Sequence, residues 1–304
     1  MVRVVAPGTP GCNFPACTTA NPSFPNPPPT SLPRRLTRAP ADYLWNCKAE
    51  YDTLDPQLSW ATEPLTTANE QDIPGCPDTP APHIDDLIVA VGESGMPGGF
   101  SNRWTDSFSC SIPSSNPPVV LSGNWWIDCS SLAVNATVEI DGGSVVFEGD
   151  VDIRASGVLS IDNSAGSPGW MFLRGGEVKK AGQGTLILRE TAVYASKGSS
   201  VSMAGGSGSL VWIAPRSGDF ADLALWSDSA DVHSWSGQAN LDMGGVFFTP
   251  WATAEYSGGA GQNQVRAQFI ADKLNASGNG ALFVAPEFGH AVQFPVEPQS
   301  VLIR

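Results

Sequence analysis

Positive charge is scarce in this sequence: 16 Lys and Arg stand against 30 Asp and Glu, so the formal net charge is −14. Nucleic acid binding depends on Lys and Arg side chains that neutralise phosphates, and we therefore expect no nucleic acid partner. Charged residues of both signs make up only 15% of the chain, whereas Gly (32) and Pro (26) are abundant. This composition favours short strands and turns over long helices.

Long apolar runs are also absent. No stretch approaches the roughly 18 residues of a membrane-spanning helix, so we expect no membrane insertion by this chain itself. The first residues, MVRVVAPGTPG, lack the apolar segment of a secretory signal. The cysteines nevertheless favour an oxidising compartment. We therefore predict an extracellular or cell-surface protein whose leader or anchor is missing from this chain.

The six cysteines are confined to the first half of the chain, and Cys129 is the last of them. An even number in a loop-rich region predicts disulfides, with free thiols as the alternative. A zinc site is disfavoured because the spacings contain no CxxC pair and the three histidines lie far from the cysteines, so we predict no metal and no cofactor. Sequential pairing is our working hypothesis among 15 possible pairings: Cys12–Cys17, Cys47–Cys76 and Cys110–Cys129.

Proline and glycine divide the chain into two parts. Twenty of the 26 prolines precede residue 121, and 25 of the 32 glycines follow it. Residues 1–41 predict a Pro-rich extended arm or linker, because a sequence such as NPSFPNPPPTSLPRRL favours polyproline II. Residues 42–129 hold four cysteines and several tryptophans, and they predict a disulfide-braced module that caps the open end of the domain over residues 130–304.

Short alternating stretches dominate residues 130–304. Pairs of apolar residues separated by one polar residue place both apolar side chains on one face of a strand. The predicted inward pairs are Val138/Ile140, Val145/Phe147, Val151/Ile153, Leu159/Ile161, Met171/Leu173, Leu186/Leu188, Val201/Met203, Leu210/Trp212, Leu223/Leu225, Val246/Phe248, Leu282/Val284, Val292/Phe294 and Val301/Ile303, with Phe269 alone. Gly, Asn and Ser lie at the breaks, and two-residue hairpin signals are sparse.

This pattern predicts an all-β fold, a right-handed parallel β-helix in which each coil stacks on the previous one. At roughly 20 to 25 residues per coil, this region would form about eight coils and a rod about 40 Å long. Right-handedness follows from the general preference of parallel crossovers. A jelly roll or a sandwich is the alternative architecture.

Two stretches, VVFEGDVDIRASGVLSI and GGVFFTPWATAEYSGGAGQNQVRAQFIADKLNASGNGAL, carry a family resemblance. They resemble the region that follows the TadE/TadG-like segment of tight-adherence (Flp) pilus-associated surface proteins. The preceding GNWWIDCSSL is similar to the start of that region, and the resemblance covers about residues 120–290. It implies an exported β-helix-like domain without catalytic residues. This chain departs from the family by lacking the membrane helix.

Acidic residues between 139 and 162 are the best candidate for chemistry. On stacked coils, Asp141, Glu148, Asp150 and Asp152 could form a glycan- or calcium-binding face, with Glu139 and Asp162 nearby. The alternative, which we favour, is that alternating strands of an acidic protein expose acids to water. We likewise interpret the neighbouring basic residues as ordinary surface charge: Arg154, Arg174, Lys179 and Lys180.

Other catalytic signals are weak. The sequence has no GxSxG nucleophile motif, no GxGxxG before a helix and no phosphate-binding loop lysine. His233, beside Asp231 and Trp235, could belong to a sugar-binding patch, although we favour a polar turn. Tryptophans in the second half could form a carbohydrate platform, but alternating strands favour packing. We predict no catalytic residues.

We therefore predict a non-enzymatic exported structural protein of a pilus-related, adhesive or filamentous cell-surface assembly. Its partners would be copies of itself or other subunits of the assembly. The alternative is a polysaccharide-active lyase or hydrolase, or a tailspike-like glycan-binding β-helix, for which a glycan would be the partner. An enzyme of this fold needs carboxylates, a basic residue and aromatics to converge in a groove.

Overall fold

A computed structural model describes residues 84–284, except 107–108, 205–207, 219, 238–239, 259–261 and 279–280. The predicted arm over 1–41, most of the predicted cap module and the inward pairs after residue 284 lie outside the described residues. Within them, no helix has the length and apolar character needed to span a bilayer.

One helix precedes twenty strands in this part of the chain. The helix is α1 (Ile84–Val91). The strands are β1 (Asn102–Thr105), β2 (Ser111–Ile112), β3 (Val119–Ser122), β4 (Trp125–Asp128), β5 (Ser131–Val134), β6 (Thr137–Asp141), β7 (Val145–Phe147), β8 (Asp150–Ile153), β9 (Val158–Asp162), β10 (Gly169–Leu173), β11 (Gly176–Lys180), β12 (Thr185–Arg189), β13 (Thr191–Ala195), β14 (Ser199–Met203), β15 (Ser209–Ile213), β16 (Leu223–Ser227), β17 (His233–Gly237), β18 (Asn240–Gly258), β19 (Gln262–Gly278) and β20 (Ala281–Val284).

The strands stack into a parallel β-solenoid with three faces, and all pairings among the described residues are parallel. Face A holds β1, β4, β7, β10, β13 and β16, then 246–248 of β18 and 268–270 of β19. Face B holds β2, β5, β8, β11, β14 and β17, then 254–258 and 274–278. Face C holds β3, β6, β9, β12 and β15, then 240–244, 262–265 and β20. The predicted parallel β-helix is thus confirmed, with about seven turns.

The predicted inward positions form one continuous core. From Val138 to Trp212, all eight predicted pairs are exposed by 2% or less and belong to a single hydrophobic cluster. They stack coil on coil, as in the row Val138, Leu159, Leu186 and Leu210 on face C. Burying each such side chain stabilises the fold by roughly 1.5 to 3 kcal/mol.

The prediction for the pair Val246/Phe248 is wrong. Phe247, which lies between them, points into the core, and Val246 and Phe248 point outward from face A. Leu223 also faces outward while Leu225 faces inward, because the register shifts between these two residues. Three consecutive apolar residues at 246–248 carry no alternation, so the sequence pattern could not assign their faces.

A second row of apolar residues runs along the outside of face A. This outer ladder consists of Trp126, Val146, Phe172, Tyr194, Trp226, Phe248 and Ile270, each stacked on the previous one. All seven are exposed by 8% or less. Leu87 and Val91 of α1, together with Phe100, pack in the same cluster. Segment 84–100 therefore covers a side of the solenoid.

The solenoid also begins earlier than predicted. β1 pairs with β4 from Asn102 onward, so residues 102–128 belong to the solenoid instead of to the cap module predicted over 42–129. The strands here are short and separated by proline-containing loops, such as 113–118, which hid them in the sequence.

Glycines make the corners between faces tight. A Cβ on Gly208 would lie 1.9 Å from the carbonyl oxygen of Gly184 in the coil below. At Gly143, which has a φ of +137°, a Cβ would lie 2.3 Å from the carbonyl oxygen of Gly123. Larger residues at these corners would prevent successive coils from stacking.

Candidate functional site

The predicted acidic face is dispersed around the solenoid. Asp141 lies on face C, together with Glu139 and Asp162. Asp150 and Asp152 lie on face B, and Glu148 lies at the corner between faces A and B. These carboxylates therefore do not converge in one groove, which an acid/base pair or a calcium site would require.

Asp150 and Asp152 share an outward face of β8, as the alternation predicted, and each has a structural partner. The Asp152 carboxylate forms an ion pair with Arg154, and this contact raises the pKa of Arg154. Asp150 Oδ1 accepts a hydrogen bond of 2.8 Å from the backbone N–H of Glu177 in the next coil. Asp150 thus links two coils.

Asp141 and Asp162 stack directly on face C, and Arg189 follows in the next coil. Arg189 Nη1 lies 3.5 Å from Asp162 Oδ2, and the Ser164 N–H donates to Asp162 Oδ1 at 2.9 Å. Burial alone would raise the pKa of Asp162, but these contacts outweigh it and lower that pKa. The arrangement keeps Asp162 ionised and suits a surface ladder.

Glu148 belongs to a partly buried polar network at the side of the solenoid. Its Oε1 accepts hydrogen bonds from Trp126 Nε1 and from Arg174 Nη1. The Arg174 side chain is only 3% exposed, so its interpretation as ordinary surface charge is wrong. A carboxylate in this network is paired already and serves the packing of face A.

Lys180 is the second basic residue that the sequence misplaced. It occupies the inward register of face B between Ile153 and Met203 and is 1% exposed. Burial lowers the pKa of Lys180. Arg154 and Lys179, in contrast, are exposed as predicted. An ordinary alternating strand carries the lysine inward, because period-2 alternation fixes the side regardless of the residue type.

His233 lies in the interior, so both sequence interpretations of it, a polar turn and a sugar-binding patch, are wrong. Its Nδ1 accepts a hydrogen bond of 3.2 Å from the N–H of Val201, and its Nε2 lies 2.9 Å from Ser227 Oγ. Because Nδ1 accepts, Nε2 carries the hydrogen and donates to the serine. Burial lowers the pKa of His233 to about 4, partly opposed by Asp231. This histidine therefore cannot act as a base toward Ser227.

The tryptophans of the second half form no exposed row among the described residues. Trp212, Trp226 and Trp235 are buried, which confirms the packing interpretation for these three. Trp170 is half-buried and packs edge-on to Phe172 with ring centroids 6.4 Å apart. The carbohydrate platform that stacked indoles would provide is therefore not assembled by these side chains.

One of the three hypothesised disulfides falls in the described residues and is present. Cys110, just before β2, is bonded to Cys129, between β4 and β5, with Cα atoms 5.9 Å apart. The bond joins the first two coils. Asp106 lies near these two sulfurs, but disulfide sulfurs cannot ligate a metal as thiolates. The other four cysteines lie outside the described residues.

A polar groove on face B was missed by the sequence reading. It has a volume of about 700 Å³ and is lined mainly by outward residues of three successive coils: Ser234, Ser236, Glu255, Ser257, Asn275 and Ser277. Asn275 Nδ2 donates to Glu255 Oε1 at 3.3 Å. These residues meet only because β17, β18 and β19 stack in register. To predict the groove, the sequence would have had to reveal the number of residues in each coil.

Comparison with known proteins returned no relative. No protein-family model matches the chain, and neither a curated protein nor a solved structure matches it.

Proposed function

We propose that the protein is a non-enzymatic structural rod of a cell-surface assembly that is pilus-related, adhesive or filamentous. The observation that supports this best is the continuous parallel stack from β1 to β20. Backbone hydrogen bonds run along the axis, and seven steps of about 4.8 Å separate its ends by about 34 Å. A stack of this kind is a stiff spacer, and the resemblance of residues 120–290 to tight-adherence pilus-associated proteins agrees with that role.

The proposed partners are further copies of the chain or other subunits of the same assembly. We propose that copies stack on the strand edge beyond 274–278 of β19, which is the last described strand of face B and pairs with 254–258 of β18. Unpaired strand edges add strands from other chains. Ala276 lies there on the inward register, opposite Tyr256 of the previous coil.

The test is particle size in solution at increasing concentration, followed by electron microscopy. We expect ordered particles several solenoids long at high concentration. Ala276→Lys should abolish them, because an inward-pointing charge at a sheet edge opposes stacking. Ala165→Lys, in an exposed turn, is the matched control and should leave assembly unchanged. A chain that stays monomeric at every concentration, alone and with cell-surface extracts, contradicts the proposal.

A glycan-binding role is the second candidate, and the groove on face B supports it. Serine hydroxyls, the Asn275 amide and the Glu255 carboxylate offer the donors and acceptors that sugar hydroxyls require, and the volume lies in the range of small-molecule sites. Titration with neutral, amino-sugar and acidic oligosaccharides tests it. This role is supported if Glu255→Gln/Asn275→Ala abolishes binding and Asp242→Asn, on face C, leaves it unchanged. Cleavage of an oligosaccharide would instead indicate an enzyme.

A further inference from the structure

Segment 84–100 lies along coils that come much later in the chain. After α1, residues 92–101 lead into β1 of the first coil. Yet Phe100 packs against Trp170 of β10, in the fourth coil, with ring centroids 5.6 Å apart. Leu87 and Val91 of α1 belong to the same cluster as the outer ladder. The chain therefore contacts the fourth coil before it enters the first.

Arg174, which follows β10, holds the end of α1. Its Nη2 donates to the carbonyl oxygen of Val91, the last residue of the helix. Its Nη1 donates to the carbonyl oxygen of Gly95 at 2.6 Å and to Glu148. A cation at a helix C-terminus satisfies carbonyls that have no partner inside the helix. One side chain thus joins α1, the loop after it and the corner of the third coil.

The geometry of the helix end makes this contact specific. Gly92, with a φ of +74°, donates its N–H to the carbonyl oxygen of Ile88 at 2.9 Å and reverses the chain. The Gly98 N–H donates to the carbonyl oxygen of Ala90 at 3.2 Å, which folds the loop back onto α1. A helix of eight residues is not stable alone, so its order depends on these contacts with the solenoid.

We propose that segment 84–100 is a lateral clamp that transfers tension from the N-terminal part of the chain to coils three and four. Without the clamp, a pull through residue 84 would peel β1 from the sheet edge, one backbone hydrogen bond at a time. With it, the Arg174 contacts and the outer-ladder packing must break together before β1 is loaded. The Cys110–Cys129 disulfide secures the first coil to the second behind the clamp. The proposal does not depend on whether the rods associate.

Hydrogen–deuterium exchange of the full-length chain tests the coupling. Arg174→Gln removes the charge that binds Val91, Gly95 and Glu148, and we expect amides of α1 and β1 to exchange about tenfold faster or more. Amides of β12 and β13 should keep their protection. Arg154→Gln, which removes an exposed arginine that pairs with Asp152 on face B, is the matched control and should change neither region. Unchanged exchange in β1 when α1 is released would overturn the proposal.

Pulling the chain between its two termini in an optical trap tests the load path directly. In the parent chain, the disulfide limits extension of the first coil to the segment before Cys110, and we expect β1 to extend only after the clamp ruptures, in one step. In Arg174→Gln, β1 should extend at lower force, whereas Arg154→Gln should match the parent. Should Arg174→Gln fail to fold, Leu87→Ala weakens the same clamp through its apolar contact and must lower the force as well. Equal forces in parent and clamp variants would refute the load path.

Discussion

The first four coils and the later coils share one backbone arrangement but fill it differently. Between β4 and β12 the inward residues are mostly Val, Ile, Leu and Met. From β15 onward, Trp212, Trp235, Phe247 and Phe269 meet ring to ring, with centroids 5.1 to 5.7 Å apart. Aromatic and aliphatic cores therefore both satisfy the same stacking, because the inward register and not the side-chain identity sets the fold.

The two regions also differ in how they are secured. Ala133 pairs with Asp152 of the next coil, whereas Val193 pairs with Leu225, so the later coil is longer by more than half. The longer coil contains the loop between β15 and β16, and Phe220 of this loop packs on the outer ladder. Early coils instead have the disulfide and α1. In a solenoid each coil contacts mainly its neighbours, so we expect changes in one region to act locally.

The largest expected effect is on the aromatic region. Phe247 is fully buried and contacts the rings of Trp212, Trp235 and Phe269. Phe247→Ala should lower the free energy of unfolding by about 4 kcal/mol, because it leaves a cavity. Exchange mass spectrometry in denaturant should show 223–274 opening before 131–189. Val145→Ala, in the same inward row of the early region, should reverse that order, and simultaneous opening in both variants contradicts the local picture.

Loss of the disulfide should have the next largest effect, in the opposite region. Cys110→Ser/Cys129→Ser removes a disulfide between cysteines separated by 19 positions in sequence. The free energy of unfolding should fall by about 3 kcal/mol, because the bond no longer restricts the unfolded chain. We expect faster exchange in β1, β2 and β4 and little change beyond β13. Cys12→Ser/Cys17→Ser, which also replaces two cysteines, is the control for the effect of the substitutions themselves. Uniform loss of protection along the solenoid would argue for one cooperative unit.

His233 should make the later region sensitive to acid. Its pKa is about 4 in the folded protein against an ordinary 6.5, so the unfolded state binds more protons between these values. The contribution of neutral His233 to the free energy of unfolding is therefore fully present above pH 6.5. It falls as the pH approaches 4, by up to about 3 kcal/mol. Unfolding curves for the parent and His233→Gln should differ in their pH slope there. His290→Gln serves as the comparison, and equal slopes in parent and His233→Gln would disprove the assignment.

The smallest effect is expected at the surface of the early region. The ion pair between Arg189 and Asp162 is half-exposed, with a distance of 3.5 Å. Arg189→Gln should lower the free energy of unfolding by about 0.5 kcal/mol at low salt and by less at high salt, because solvent and ions screen the pair. Denaturant unfolding at two salt concentrations measures this. A cost several times larger would show that the face C ladder matters more than its exposure indicates.

The candidate site was predicted less well than the fold. Asp150 and Asp152 were placed correctly on one face, because they lie on one strand. Whether Asp141 and Glu148 lie on the same face as these two residues depends on where the corners of the solenoid fall. The alternation of apolar and polar residues does not show the corners. Residues of the groove on face B lie in three coils with unequal lengths, so no single sequence window contains them. Membership of a surface assembly stays a prediction.

By itself, the sequence determined that residues 131–213 form short strands with an inward apolar face, because alternation and strand geometry share a period of two. The tertiary structure decided which residues stack in neighbouring coils, because coil length is not constant along the solenoid. It also decided that Arg174, Lys180 and His233 are buried and that face A carries apolar residues on both sides. Those outcomes depend on which other segments pack against a strand, and the sequence of a single strand does not specify them.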